Sequence, residues 1–382
     1  MTQTMSVRLA WEGKKSPSGQ GSPAEPRRAW NAAGSFPGLP APTGAPGWLL
    51  QGDNLDTLRW LEGSQAGTVA LAYLDPPFFT NREHAAWLRK AGAPPGSERR
   101  RVPAFDDRWE DISAWLDAMG GRLDAVRNLL APHGSVIVHV DPKTSHYVKV
   151  LGDEIFGPEA FASEIVWRYR RWPSKTPNFQ RVHDVLLRWR KDPGASARFT
   201  QLYEPLAAST LATWGKNKQR AVFARDGRRS RSSSTSEPTQ GVPMGDVWDI
   251  GVIAPIARER TGYPSQKPEA LLERLLTALT HEGDLVLDPY GGSGTTLAVA
   301  HRLGRAFIGI DSSPVALDVA RARLGALLPG GEMVEVSPSA LRGPRTSEHP
   351  SPAPARENMA VGASLRAPPR RRFNRVSGGS GQ

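Results

Sequence analysis

Residues 284 to 311 leave few folds open to the chain. Asp284-Leu285-Val286-Leu287-Asp288 is a short apolar run that reads as a buried strand, and Pro289-Tyr290-Gly291-Gly292-Ser293-Gly294 is a turn without bulk. Thr295 to Leu303 follows as a helix, and Ala306-Phe307-Ile308-Gly309-Ile310-Asp311 is a second buried strand ending in an acid. A strand, a Gly-rich turn and a helix in succession let a ligand approach the backbone closely, with the helix N-terminus favouring negative charge. Asp311 follows Asp288 by 23 residues, where such folds place the carboxylate that grips ribose hydroxyls. The block predicts a βαβ unit and a nucleoside-type cofactor. It is neither a Walker loop, which needs a Lys after Gly294, nor a Gly-x-Gly-x-x-Gly fingerprint.

The same alternation runs through the rest of the chain. Trp48 to Gln51 reads as a strand that passes through Gly52-Asp53 into a helix with apolar positions 55, 58 and 61. Val69-Ala70-Leu71-Ala72-Tyr73-Leu74 is a buried strand closed by Asp75-Pro76-Pro77-Phe78. A helix is predicted from Ile112 to Leu130, ended by Pro132 and Gly134, then a buried strand from Ser135 to Asp141 and a helix from Ser145 to Phe156. Phe161 to Arg168 and Asp184 to Trp189 read as strands, order resumes at 246–250, and Glu269 to Leu279 is a helix with Pro268 suited to its first position. Strand and helix alternating with short joints predict an α/β fold with a mostly parallel sheet. His139, on a buried strand, is expected in the core.

Composition excludes several chemistries. With no Cys, the chain has no disulfide, no thiolate metal site and no cysteine nucleophile, and no metal is expected. Without a run of eighteen apolar residues or an apolar N-terminal segment, no membrane span and no signal peptide are expected, which points to a cytoplasmic protein. The net charge of +11 is unevenly placed. Residues 168–231 carry sixteen basic and four acidic side chains, residues 80–101 six and two, and the body outside these segments and the two ends is acidic. Two basic segments on an acidic body predict a surface that faces a polyanion.

These shifts divide the chain. Residues 1–46, rich in Pro, Gly, Ser and Ala, are expected to be disordered, as is the basic segment 329–382. Residues 80–101, with Arg82, Arg99, Arg100 and Arg101, read as a flexible basic loop hanging off the Asp75 turn. From 168 to 260 the texture changes: Trp167, Tyr169, Trp172, Phe179 and Trp189 interleave with Arg168, Arg170, Arg171 and Lys175. Arginine forks bind phosphates and base edges, and aromatic rings stack on bases. Residues 226–240, with Arg228 and Arg229, have no apolar anchor and read as a mobile loop within this region.

Asp75-Pro76-Pro77-Phe78 on its own also reads as a strand-ending turn with a capping Asp. Proline fixes φ and removes a donor, so the Asp75 and Pro76 carbonyls are held in an open turn above the strand. Together with Asp288-Pro289-Tyr290-Gly291-Gly292-Ser293-Gly294-Thr295-Thr296, Gly52-Asp53-Asn54-Leu55 and Gln266-Lys267-Pro268, in that chain order, it resembles the beta class of site-specific DNA amino-methyltransferases, over about residues 47 to 325. The resemblance implies a Rossmann-like fold dependent on S-adenosylmethionine (AdoMet), with helices on both faces of the sheet. It divides the body into a catalytic half, 47–167, an inserted DNA-recognition region, 168–260, and an AdoMet-binding half, 261–328. It implies that Asp288, Pro289, Gly291, Ser293, Gly294 and Thr295 surround the methionine end of AdoMet. Asp311 would hold the ribose, Asp53 would lie near the adenine, and Gln266 and Lys267 would lie by the carboxylate. Against these roles, Asp53 also reads as a helix cap, Lys267 as an exposed first-turn charge and Asp311 as a cap for the helix starting near Pro314.

It further implies that the target base leaves duplex DNA, stacks on Phe78, and gives its amine hydrogens to Asp75 and the Pro76 carbonyl for direct in-line transfer without a covalent enzyme intermediate. Asp before Pro-Pro-aromatic, where N4-cytosine enzymes usually carry Ser, favours N6 of adenine. A cognate restriction endonuclease and a homodimer are further partners the resemblance admits. N4-cytosine methylation, an RNA or protein amino-methyltransferase and a non-catalytic DNA-binding module are the alternatives.

Overall fold

The computed structural model describes residues 8–31, 47–88, 97–173, 175, 177–196, 198–220, 223–228, 233–328 and 334–336. Strands β1 (Arg28–Asn31), β2 (Gly47–Gln51) and β3 (Val69–Leu74) open the chain, with α1 (Asn54–Gln65) between the last two. A hairpin of β4 (Glu83–Leu88) and β5 (Arg100–Asp106) follows, then α2 (Ile112–Leu129), β6 (Leu130–Val140), α3 (Ser145–Phe156), β7 (Phe161–Arg168) and β8 (His183–Arg190). A middle stretch holds β9 (Tyr203–Glu204), α4 (Ala208–Trp214), β10 (Asn217–Arg220), β11 (Ser233–Pro238), β12 (Val242–Pro243) and β13 (Val247–Asp249). The last part is α5 (Glu269–Leu279), β14 (Leu285–Asp288), α6 (Thr295–Arg302), β15 (Ala306–Asp311), α7 (Pro314–Gly325) and β16 (Val334–Val336).

One sheet of ten strands, ordered β13-β7-β8-β6-β3-β14-β15-β2-β1-β16, carries the architecture. Its centre, β6-β3-β14-β15-β2, is parallel throughout, while β8 runs antiparallel to β6 and to β7, and β1 antiparallel to β2 and to β16. Alternate residues of each central strand face opposite sides, and both sides are covered. Ala72, Leu74, Val136 and Val138 pack against α1, α2 and α3 through Leu58, Leu123, Val126 and Leu151. Leu71, Tyr73, Ile137 and Phe307 pack against α5, α6 and α7 through Leu272, Leu276, Leu297 and Leu317. This is the mostly parallel, doubly covered α/β fold that the sequence predicts.

Three expectations need correction. Part of the segment 1–46, read as disordered, is ordered: Leu9 and Trp11 pack on the core, Lys14 Nζ donates to Glu154 at 2.7 Å, and Ala29 and Trp30 are buried in β1. Its stabilising partners are distant in sequence, Glu154 lying 140 positions from Lys14, and local composition does not register them. In the segment 329–382, Val334–Val336 pairs with β1; the rest of that segment lies outside the described residues, as does all of the second unit, 342–382. The segments 80–101 and 226–240, read as loops, contain β4 with the start of its partner β5, and β11, which pairs with β10; residues 89–96 and 229–232 lie outside the described residues. Pro103 is tolerated in β5 because a two-stranded hairpin has a free edge.

Candidate active site

Parallel strands send their following loops to one edge of the sheet, where ligands of open α/β sheets bind. Four acids stand at those exits: Asp53 after β2, Asp75 after β3, Asp288 at the end of β14 and Asp311 at the end of β15. All four line one cavity of about 630 Å³, a volume suited to a small organic ligand. Apolar walls from Pro289, Tyr290, Phe105, Pro314 and Val315 alternate with these carboxylates.

Asp288 is 3% exposed, and its Oδ1 accepts from the Tyr290 N–H at 3.0 Å. Asp311 accepts from the Gly292 N–H at 2.9 Å and the Ser313 N–H at 2.8 Å, so it ties the Gly-rich turn to the start of α7. Each Asp311 oxygen keeps a lone pair, and ribose hydroxyls are donors that fit there. Ser293 and Thr295 are buried and lie 3.1 Å apart through their hydroxyls, with Arg323 Nη1 donating to Thr295 at 3.0 Å. Gly294 does not reach the cavity. Its φ is +71°, and a Cβ there would stand 2.9 Å from the Ala320 Cβ of α7, so it is Gly for helix packing and not for ligand approach.

Burial, reinforced by the neighbouring Asp75 and Asp311, pushes the Asp288 carboxyl up to about 7, and burial raises Asp311 as well. A carboxyl whose folded value exceeds its unfolded one contributes stability that is present below about pH 4 and is lost as pH rises through about 7. Without cofactor, Asp288→Asn is therefore expected to gain stability relative to the parent as pH rises from 4 to 7, read from denaturant midpoints across that range. Parallel midpoint curves for the two proteins would show that Asp288 does not titrate there.

Asp53 serves as the α1 cap, its Oδ1 accepting from the Leu55 and Asp56 N–H groups at 2.9 and 3.1 Å, while Oδ2 is 3.5 Å from Arg122. Lys267 also lines the cavity, its ammonium 2.6 and 2.5 Å from the two oxygens of Asp75, with Ser265 O at 3.4 Å. The lysine also lies 4.9 Å from the Phe78 ring centre. Gln266 lines the cavity but spends its amide on its own loop, accepting from Thr261 and donating to the Glu259 carbonyl at 2.6 Å.

The Asp75-Pro76-Pro77-Phe78 turn is held from outside. Trp115 Nε1 donates to the Pro77 carbonyl at 2.9 Å, leaving the Pro76 carbonyl as the acceptor beside Asp75 among the described residues. Asp107, fully buried, accepts from the Phe79 N–H at 3.2 Å, the Thr80 N–H at 2.7 Å, the Thr80 hydroxyl at 2.6 Å and Trp109 Nε1 at 3.0 Å. Phe79 and Asn81 lie at φ of 55° and 54°, conformations that cost about 1–3 kcal/mol each and persist only where neighbours impose them. Phe78 itself rests 5.7 Å from the ring of His139, which is in the core as expected, bonded to Tyr73 at 2.7 Å and kept below its ordinary pKa by burial.

Sequence reading missed Asp107, Trp115, Arg122 and Tyr263, and quoted Asn54 and Thr296 only within motifs without giving them a role; all six line the cavity. A Trp or Asp that serves a distant turn carries no local pattern. The residues read as DNA-binding divide. Arg82, Arg99, Arg100, Arg101, Arg170, Arg171 and Lys175 are exposed, with Arg171 over the Tyr169 ring at 5.1 Å. Arg168 is paired with Asp249, Arg228 is 3.7 Å from Asp226, and Arg229 lies outside the described residues. The Arg168–Asp249 pair joins neighbouring strands β7 and β13, and both of its side chains are more than half exposed.

Fold and site define an enzyme that holds a nucleoside-type cofactor beside a turn of hydrogen-bond acceptors. Residues 69–322 match the family model described as DNA methylase. The chain is 50% identical over 278 residues to the type II methyltransferase M2.DpnII of Streptococcus pneumoniae, covering 71% of this chain and 88% of that protein. It is 28% identical over 280 residues to the type II methyltransferase M.HpaI of Haemophilus parainfluenzae, covering 73% and 76%. The solved structure of the cytosine-N4-specific PvuII DNA methyltransferase aligns with a TM-score of 0.47 at 16% identity over 81% of this chain and 89% of that one. The chain belongs to the DNA methylase family, the AdoMet-dependent amino-methyltransferases that modify N6 of adenine or N4 of cytosine in DNA.

Proposed function

We propose that this enzyme methylates N6 of adenine in duplex DNA, and the observation that carries the reading is the identity and setting of Asp75. A carboxylate offers two acceptor oxygens to an amine, and with the Pro77 carbonyl already bonded to Trp115, the Pro76 carbonyl is the second acceptor at hand. An exocyclic amine is a weak nucleophile because its lone pair is delocalised into the ring. Two acceptors on its N–H groups favour a more tetrahedral nitrogen and free that lone pair, so the chain contributes positioning and electrostatics. Lys267 holds the Asp75 carboxylate in one orientation, and Phe78 offers a face on which a base stacks.

The cavity suits AdoMet. Asp311 matches the ribose hydroxyls, Asp288 matches an ammonium, the Gly291–Ser293 backbone lets a methionine chain approach, and Asp53 with the apolar walls borders the adenine. Bound there, AdoMet supplies a methyl group on a positively charged sulfur. The exposed Arg82, Arg99, Arg100, Arg101, Arg170, Arg171 and Lys175 are suited to phosphates, which agrees with duplex DNA as substrate. The type II designation of both relatives supports a modification enzyme that works beside a cognate endonuclease in the cytoplasm. Among the described residues no helix is long and apolar enough to cross a membrane.

The test is product analysis. DNA methylated with labelled AdoMet is digested to nucleosides and separated, with label expected in N6-methyl-2'-deoxyadenosine. Label in N4-methyl-2'-deoxycytidine would overturn the base assignment while leaving the family intact.

A further inference from the structure

The aromatic residues interleaved with arginine between 167 and 189 fall into two groups. Trp167, Tyr169 and Trp189 are core side chains, at 3%, 3% and 0% exposure, whereas Trp172 is 92% and Phe179 99% exposed. Both exposed rings lie on the connection between β7 and β8. The Tyr169 N–H donates to the Val182 carbonyl at 2.9 Å, extending the ladder past the strands, and Gln180 Nε2 donates to the Trp172 carbonyl at 2.8 Å. These bonds shape the connection into a hairpin with one aromatic on each arm.

Strand directions place this hairpin. The last residues of β6 pair with the first of β8, Val140 beside Val185, and β6 runs parallel to β3, which ends immediately before Asp75. The hairpin therefore leaves the sheet at the same edge as the acceptor turn. Arg181 at its base is fixed to Asp141, just past β6, at 2.5 Å. Exposed Arg170, Arg171 and Lys175 lie on the hairpin as well, so its cations suit a phosphate backbone and its rings suit what lies between two backbones.

A ring left in water contributes nothing to the core, and a pair of them on a cationic hairpin beside the reactive edge needs a partner with flat apolar faces. We propose that Trp172 and Phe179 enter the base stack of the duplex beside the target, taking over the stacking surface that the target base gives up when it leaves the helix. The inference rests on the reading above that the base is methylated outside the helix. Unstacking opposes extrusion, and an aromatic that fills the gap offsets it.

The test compares Trp172→Ala, Phe179→Ala and Arg170→Ala with the parent on two duplexes carrying the mapped methylation site. In one the target adenine is paired with thymine, and in the other it faces a mismatched base and is already loosened. Single-turnover transfer at saturating AdoMet is expected to fall about 10- to 100-fold for each aromatic variant on the paired duplex and to recover to within about 3-fold of the parent on the mismatched one. Arg170→Ala is expected to weaken binding to both duplexes alike. Equal losses of the aromatic variants on both duplexes, or no loss on the paired one, would overturn the proposal. Both rings are exposed, so thermal unfolding should be unchanged, and an aromatic variant that melts earlier would also count against a role confined to DNA. A parent that transfers no methyl group to either duplex would instead sink the underlying reading of the substrate.

Discussion

Asp75→Ala is expected to abolish methyl transfer and to destabilise the protein, and Lys267→Met added to it is expected to restore the stability without restoring transfer. The two losses have different origins. Transfer fails because the amine loses its charged acceptor, and removal of one such preorganised group costs about 10²–10³-fold or more in turnover. Stability falls because the Lys267 side chain is only 9% exposed and its ammonium is turned onto Asp75, so the truncated protein keeps a nearly buried cation without its partner. Removing one member of a buried pair costs about 3–5 kcal/mol, whereas replacing both by apolar groups is often close to neutral. The checks are denaturant unfolding of the three proteins, cofactor binding by calorimetry and incorporation of labelled methyl into DNA. Near-parent transfer by Asp75→Ala would remove Asp75 from the chemistry. A double variant no more stable than Asp75→Ala would show that the ion pair does not hold the turn.

Asp107→Ala is expected to damage catalysis as deeply as a change in the cavity wall, although Asp107 is proposed to touch no reacting atom. Its carboxylate accepts from four donors, three of them on Phe79 and Thr80 immediately after the acceptor turn. Truncation leaves those donors unsatisfied in a buried place, at about 1–3 kcal/mol for each that water does not reach. It also removes what keeps Phe79 at positive φ, so the turn relaxes and the Pro76 carbonyl and Phe78 move off their targets. A displacement on the order of 1 Å is enough for about 100-fold in rate. Turnover should therefore fall by about that factor with little change in AdoMet affinity, and Asp107→Asn, which keeps one acceptor oxygen, should lie between. If the variant loses stability while turnover stays at the parent level, Asp107 supports the fold alone.

Local sequence carried the sheet because its signals are local. Val69–Leu74, Leu285–Asp288 and Ala306–Asp311 are short apolar runs with acids at their ends, and a strand buried on both faces needs little more. The acids that line the cavity were legible for the same reason: they end strands or follow them within two residues, where chain direction alone brings them together. Distant partnerships were not legible. Nothing near Lys267 announces Asp75, 192 residues earlier, and nothing around Asp107 or Trp115 refers to the turn they hold. Arg59 with Asp124, or the pairing of β1 with β16, likewise depend on elements that meet only in the folded chain. Gly294 shows the opposite case, where a residue read correctly as part of the turn serves the helix behind it.

β1 lies between β2 and β16, so the first and last strands in chain order among the described residues, Arg28–Asn31 and Val334–Val336, are hydrogen-bonded neighbours. Ends that meet in this way make the body a closed circuit in which the starting point is arbitrary, the condition under which circular permutation is tolerated. The order in which the acceptor turn and the cofactor turn occur is then a matter of where the circuit is opened. A protein joined across these two strands and reopened in the β7–β13 region would read its cofactor turn first and its acceptor turn second, and would present the same four carboxylates to the same cavity.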